Sequence, residues 1–428
     1  MYRRRAAVAR KMKNTRFSHL QAPWVTASLL VWGLAWLASA FGGRLYAAET
    51  SLSPTSLNST QTVYLDYREF SQPPTSWNLP LSTQSAAFKK EPNLGLSKVV
   101  RGTLKFGNSA DQFVLFVWNP AKGKLYLDLN RNQDLTDDPG GVCSCSEPVR
   151  YSTDSQTFTN VQMAFKMPQG TYPVLLNLHL YNYNQVIANV APRSCWSGKV
   201  SLQGLDWEVG IIENLSGKLG TAEGGYLLLR PWAARNESFD LQNGSLDGFP
   251  FCRDLFFGKQ AYHLDYACLQ EAGATKYRIG LEERPAELGE LKLTGKFINR
   301  IILPGAKFTV VLDQPAPVVK VPVGSYGQCR VQLKQGGAEA YRESGARFSG
   351  LPEDKVTQVS AASPAVLKVG GPLTNSVAAN RHGRSLNLSY QLLGAGGETY
   401  QLLGARRQPE FAAYRADKKI ASGKFEFG

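Results

Sequence analysis

The feature that most constrains this chain is the two-residue rhythm of its apolar positions. Between Val174 and Tyr183 the histidine His179 alternates with Leu176, Leu178 and Leu180, and similar runs recur at Val63–Tyr67, Val99–Phe106 and Gln112–Trp118. Side chains of a strand point to opposite faces in turn, so such a run predicts a strand with one buried side. Gly, Pro and Asn break the runs at close spacing, and almost no stretch of ten residues carries helical periodicity. The expectation is an all-β chain: two or more antiparallel β-sandwich or barrel-like domains with a small C-terminal β unit.

Composition shifts divide the chain further. Residues 41–60 are rich in Ser, Thr, Pro and Asn and predict a flexible linker. A first β domain is expected over 61–195 and a second over 196–333, the latter built from runs such as Trp207–Ile212, Tyr226–Leu229 and Ala261–Tyr266. The Gly-, Ser- and Glu-rich stretch 334–364 predicts a linker or long loop, and 365–428 resumes the strand rhythm. Pro322-Val323-Gly324-Ser325-Tyr326 and Pro168-Gln169-Gly170-Thr171-Tyr172 share a P-x-G-x-Y turn that resembles one found in transthyretin-like β-sandwiches. The ending, in which Ala416-Asp417-Lys418-Lys419 turns the chain into a last strand, resembles a terminal immunoglobulin-like module.

Residues 1–40 have the order of a secretory signal. Arg3, Arg4, Arg5, Arg10, Lys11, Lys13 and Arg16 precede an uncharged stretch from Leu20 to Leu37, which ends in Ala38-Ser39-Ala40. Cleavage is expected after Ala40 or Ala48; the alternative is an uncleaved anchor, the only contact with a membrane expected here. Either way the remainder is placed outside the cytoplasm, as a secreted, periplasmic or cell-surface protein. Eight of the 48 basic residues fall in the first 48 positions, leaving 40 against 34 acidic ones. That mixed surface argues against nucleic acid as a partner and for an envelope or extracellular protein or glycan. The six cysteines permit disulfides, with Cys252 to Cys268 and Cys143 or Cys145 to Cys195 as the pairings considered.

The stretch that speaks most directly of chemistry is Asp128-Leu129-Asn130-Arg131-Asn132-Gln133-Asp134-Leu135-Thr136-Asp137-Asp138. Carboxylates and amides at alternate positions of a curled loop gather the oxygen ligands that calcium takes. Asp128, Asn130, Asn132 and Asp134 resemble the D-x-[DN]-x-[DN] loop of EF-hands and dockerins, with Asp137 or Asp138 as the closing ligand. The match departs at Gln133, where such loops carry Gly, and at Pro139, where an EF-hand carries Glu. Since Lys124–Leu127 alternates like a strand, the loop is expected at a strand end. The resemblance implies a Ca2+ site formed by Asp128, Asn130, Asn132, Asp134, Asp137 and Asp138; the alternative is a turn in which Asx side chains bond their own backbone.

No nucleophile elbow, phosphate-binding Gly loop or zinc-hydrolase spacing occurs. His179 and His263 are expected to be sheet residues and His382 a solvated one. Asp240, Asp247, Asp265, Glu282 and Glu283 are possible acid–base carboxylates without a distinguishing spacing, and Asp240–Gly248 is a second candidate ion loop. Trp118 and Trp207 are expected in the core, while Trp77 and Trp232 are the best placed for a sugar-binding face. The reading that follows is an exported, non-catalytic structural or interaction protein of the cell envelope with a calcium-stabilised loop. The alternative is a carbohydrate-binding protein or a polysaccharide-acting hydrolase.

Overall fold

The computed structural model describes residues 59–83, 88–147, 154–167, 170–215, 225–242, 244–271, 274–327, 329–335, 338–342, 356–383, 385–402 and 408–425. The leader and nearly all of the expected linker at 41–60 lie outside them. The described residues are all-β, from strand Thr60–Glu69 to strand Lys418–Lys424, with only single-turn 3-10 segments between. Among them no helix is long and apolar enough to cross a membrane. The chain clusters into two compact units, one spanning Asn58–Arg406 and the other containing Arg407–Gly428.

The unit Asn58–Arg406 is organised by a sheet of 15 strands, beside which stand smaller sheets of five, four, three and two strands. None closes into a barrel among the described residues, and the sheets pack as sandwich-like layers. Strand Thr60–Glu69 ties distant parts of the large sheet together. Its first half pairs with Ala274–Arg284, in the register Val63↔Ile279. Its second half pairs with Ser194–Leu202, in the register Asp66↔Ser197. Most ladders are antiparallel, but Asp254–Phe257 runs parallel to Thr309–Asp313, and Leu288–Leu293 runs parallel to Ala365–Leu367. The outermost strands of the sheet are Gly248–Pro250 and Thr374–His382.

Alternation decides which side of each strand is dry. In Gly170–Asn182, Leu176, Leu178 and Leu180 are fully buried while Asn177, His179 and Tyr181 are only half-buried. These leucines join Phe116 and Trp118 of the five-stranded sheet and Val209, Leu229 and Ile279 of the large one in the main core. A second core gathers Leu291, Ile301, Leu303, Val310, Val321 and Val331. Full burial of each such side chain stabilises the fold by about 1.5–3 kcal/mol before entropy is counted.

Local chemistry sets the turns. Leu202 faces Leu205 across a two-residue loop in which Gln203 (φ 54°) and Gly204 (φ 78°) are both left-handed, as a hairpin turn matched to strand twist requires. The P-x-G-x-Y turn at 322–326 is closed by the Tyr326 hydroxyl, which donates to the Pro322 carbonyl over 2.6 Å. At the other copy Tyr172 is buried, and its hydroxyl donates instead to Glu213 at 3.3 Å. Within 334–364, strands Ala338–Arg342 and Thr357–Val359 are laid down by pairing with Arg330–Gln335, Thr399–Leu402 and Gly324–Tyr326.

The stretch 365–428 is shared between the two units. Strands Ala365–Leu367, Thr374–His382, Ser385–Leu393 and Thr399–Leu402 belong to the unit Asn58–Arg406. The other unit carries a hairpin of Glu410–Arg415 and Lys418–Lys424, turned by Ala416-Asp417 and bearing Phe411 and Phe425 rings 5.2 Å apart.

Candidate functional site: an Asx-rich loop and a buried ion-pair cluster

The loop 128–138 starts where strand Lys124–Leu127 ends. The Asp128 N–H donates to the Leu115 carbonyl at 2.9 Å, so the residue still belongs to the ladder, and its side chain is only 1 % exposed. That carboxylate accepts from the backbone N–H groups of Asn132 and Gln133, each at 3.1 Å. Asp138 closes the other end, accepting from Leu129 N–H at 3.0 Å and Asn130 N–H at 3.2 Å. Four such bonds from the two ends of the loop hold it tightly curled.

The alternate spacing has a direct structural expression. Asn130 Oδ1 accepts from Asn132 N–H (3.0 Å), Asn132 Oδ1 from Asp134 N–H (2.7 Å), and Asp134 Oδ1 from Thr136 N–H (2.8 Å). Each is an Asx turn, in which a short side chain imitates the backbone two residues on. Asn130 and Asn132 also turn their amides to one carboxylate, that of Asp137, at 3.1 and 2.6 Å. The structure thus brings all six of the sequence's candidates into one network.

The loop is anchored as well as curled. Leu135 is buried against Leu94 and Val117, and Leu135 N–H donates to the Lys90 carbonyl at 3.1 Å. Lys89 and Lys90 N–H groups both donate to the Gln133 carbonyl. Arg131 donates to the carbonyls of Leu129 and Ala164 and lies over the Phe165 ring. Behind the loop, a Cβ at Gly141 would stand 2.2 Å from the Leu127 carbonyl oxygen, so only glycine allows that approach.

Electrostatics differ along the loop. The Thr136 hydroxyl and N–H hold Asp134 below the usual carboxylate range. Burial pushes Asp138 above it, against the pull of its two backbone donors, with Asp128 and Asp137 adding repulsion. Gln133 has φ 71°, the left-handed turn for which EF-hand loops use glycine. Among the described residues no three His, Cys, Asp or Glu side chains stand together as a metal group. The oxygens of Asp128, Asn130, Asn132, Asp134 and Asp138 accept from the loop's backbone N–H groups, and Asp137 accepts from the two amide nitrogens; to hold a hard cation, Asn130 and Asn132 would have to turn their amide oxygens inward beside Asp128 and Asp137.

The other candidates fall elsewhere. Trp118 and Trp207 are core residues, and Trp118 donates to Gln156 Oε1 at 2.7 Å. Trp77 packs on Tyr226, and Trp232 is flanked by the cations of Lys199 and Arg235. His179 is held between the Thr157 and Ser155 hydroxyls at 2.7 and 3.1 Å, and His263 meets Asp254 at 2.8 Å. His382 is exposed. Asp265 pairs with Arg278 and Glu282 with Arg284, while Asp240 accepts from Gln242 N–H in a further Asx turn. Glu283 lies opposite Tyr262 in the ladder.

The considered disulfides do not form: all six cysteines are free. Register explains one case. Asp254 lies opposite His263, which sets Cys252 opposite Asp265 rather than Cys268, and Cys268 faces Tyr277. For the other, Cys143 lies opposite Leu125 in the five-stranded sheet, whereas Cys195 lies opposite Arg68 in the large one.

One charged cluster is not visible in the sequence. Glu208, 1 % exposed, accepts from Arg230 Nε at 2.8 Å, from Ser197 Oγ at 2.8 Å and from Arg68. Arg230, fully buried, also donates to the carbonyls of Glu237 and Arg235. Asp247 extends the cluster, lying 4.0 Å from Arg230 and 3.5 Å from Arg300, which pairs in turn with Asp313 at 3.0 Å. Burial pushes Asp247 and Asp313 above the usual carboxylate range despite these arginines. The only hint in sequence is Arg230 itself, a charge that continues the apolar run Tyr226–Leu229 without a break.

Comparison with known proteins adds no relative: no family model matches the chain, and neither the curated proteins nor the solved structures contain a match.

Proposed function

We propose that this chain is an exported, non-catalytic structural or interaction protein of the cell envelope, and that one calcium ion stabilises its loop 128–138. The observation that carries this reading is the convergence of Asn130 and Asn132 on Asp137 beside the buried Asp128. The Asn130 and Asn132 amides meet Asp137 through their nitrogens, and a half-turn of each amide would bring carboxylate and amide oxygens together as the donor set of a hard cation. The left-handed Gln133 supports it by supplying the turn that calcium loops need. A bound ion would offset the repulsion among the loop's four carboxylates and add its binding energy to folding. The loop would then act as a brace between the strand ending at Leu127 and the segment around Lys90, in a scaffold that presents surfaces to envelope proteins or glycans.

The test is a thermal melt of residues 41–428, with and without Asp128→Ala, in chelator and in millimolar calcium. Calcium is expected to raise the wild-type midpoint, by an amount equivalent to about 2.7 kcal/mol at a hundredfold excess over Kd, and to leave the variant unmoved. A wild-type midpoint indifferent to calcium would leave the loop as an Asx turn.

A further inference from the structure

We infer that the shallow cleft lined by Tyr181, Tyr183, Asn184, Gln185 and Ile187 binds a neutral sugar ring, with Tyr183 as its stacking platform. None of these residues belongs to the loop 128–138, so the inference stands apart from the calcium reading. The cleft lies where strand Gly170–Asn182 turns into strand Val186–Pro192. It holds about 250 Å³. That is below the roughly 300–1,000 Å³ of pockets for drug-sized ligands, and it suits one small ring or the end of a chain of them.

The chemistry of the lining selects the ligand. Tyr183 is 74 % exposed, an unusual position for a ring of that size. It does not stand alone: its ring lies 6.0 Å from Tyr181, whose ring lies 5.5 Å from His179. His179 is pinned by the Ser155 and Thr157 hydroxyls, and burial lowers its pKa, so the base of this ladder is fixed and uncharged at neutral pH. The row of rings extends the aromatic surface of the cleft inward from Tyr183.

A pyranose has an apolar face of C–H bonds and a rim of hydroxyls. The electron-rich face of a phenol attracts the former, and the carboxamides of Asn184 and Gln185 both donate to and accept from the latter. Tyr181 has Ser155 and Ile187 as cross-strand neighbours, and His179 has Thr157 and Asn189, so no charge interrupts this end of the sheet. The lining carries no cation to answer the carboxylate or sulfate of an acidic glycan, which leaves neutral sugars as the class that fits.

The test is calorimetric titration of residues 41–428 with neutral hexasaccharides of glucose, mannose, galactose and xylose, and with an oligogalacturonate as the acidic control. At least one neutral oligosaccharide is expected to bind, with an affinity insensitive to salt. Tyr183→Ala is expected to weaken it about tenfold, as loss of one stacked ring implies, while Tyr183→Phe keeps it. Since Tyr183 is exposed, the alanine variant does not threaten the fold. Binding of none of the neutral sugars, binding of the acidic one alone, or an unchanged affinity in Tyr183→Ala would each overturn the assignment.

Discussion

Asp128 and Glu208 are both carboxylates with 1 % of their surface exposed, yet their partners differ in kind. Asp128 is answered by backbone N–H groups from its own loop, four and five residues away. Glu208 is answered by Arg230, 22 residues on, and by Arg68, 140 residues back. The first arrangement shapes a local segment and can be written into a short stretch of sequence. The second exists only once four strands of the large sheet are in register, so it reports on the global fold. A buried pair of this second kind recovers a desolvation cost and adds little net stability, but removal of one member leaves the other charged and dry.

That contrast sets the order of the expected effects. The largest belongs to Glu208→Gln, which strips Arg230 of its counter-charge in a fully buried place. It should cost about 3–5 kcal/mol in a urea titration, and a loss smaller than that of Asp128→Ala would reverse the comparison. Asp128→Ala comes next. Two backbone donors lose their acceptor in a loop with one side open to water, and about 1–3 kcal/mol is expected, with exchange protection lost first at the Asn132 and Gln133 amides.

The smallest effect sharpens the comparison inside the loop itself. Asp134 has a lowered pKa, so its contribution is present above the ordinary carboxylate range and is lost as pH falls through the lowered folded value. Asp138 has a raised pKa, so the sign reverses: its contribution is full below the ordinary range and declines as pH rises through the raised folded value. Denaturant midpoints of Asp134→Asn and Asp138→Asn against wild type, followed from about pH 3 to pH 7, should therefore diverge in opposite directions. Parallel curves would show that burial does not outweigh the backbone donors at Asp138.

How much of this was legible in the sequence depends on the range of the interactions. The burial of Leu176, Leu178 and Leu180 follows from their spacing alone, and the all-β architecture follows from many such runs. The six Asx positions were found because Asx turns and metal loops share a spacing of two, which is also why spacing alone does not separate them. Strand Ala338–Arg342 sits in a Gly- and Glu-rich stretch, and its outer partner, through Ala340↔Leu402, is about sixty residues away. No window of local pattern contains that pairing. The same holds for the two parallel ladders and for the cysteines that register keeps apart.

Strand Thr60–Glu69 also fixes an order of events. It opens the described fold, but its partners are Ser194–Leu202 and Ala274–Arg284, so neither flank is available until more than a hundred further residues exist. At synthesis rates of about 5–20 residues per second, its second neighbour arrives some 10–40 s after the strand itself. The first strand of the described fold therefore waits while the middle of the chain is made, and the two arms of the large sheet are joined late, by the strand that was ready first.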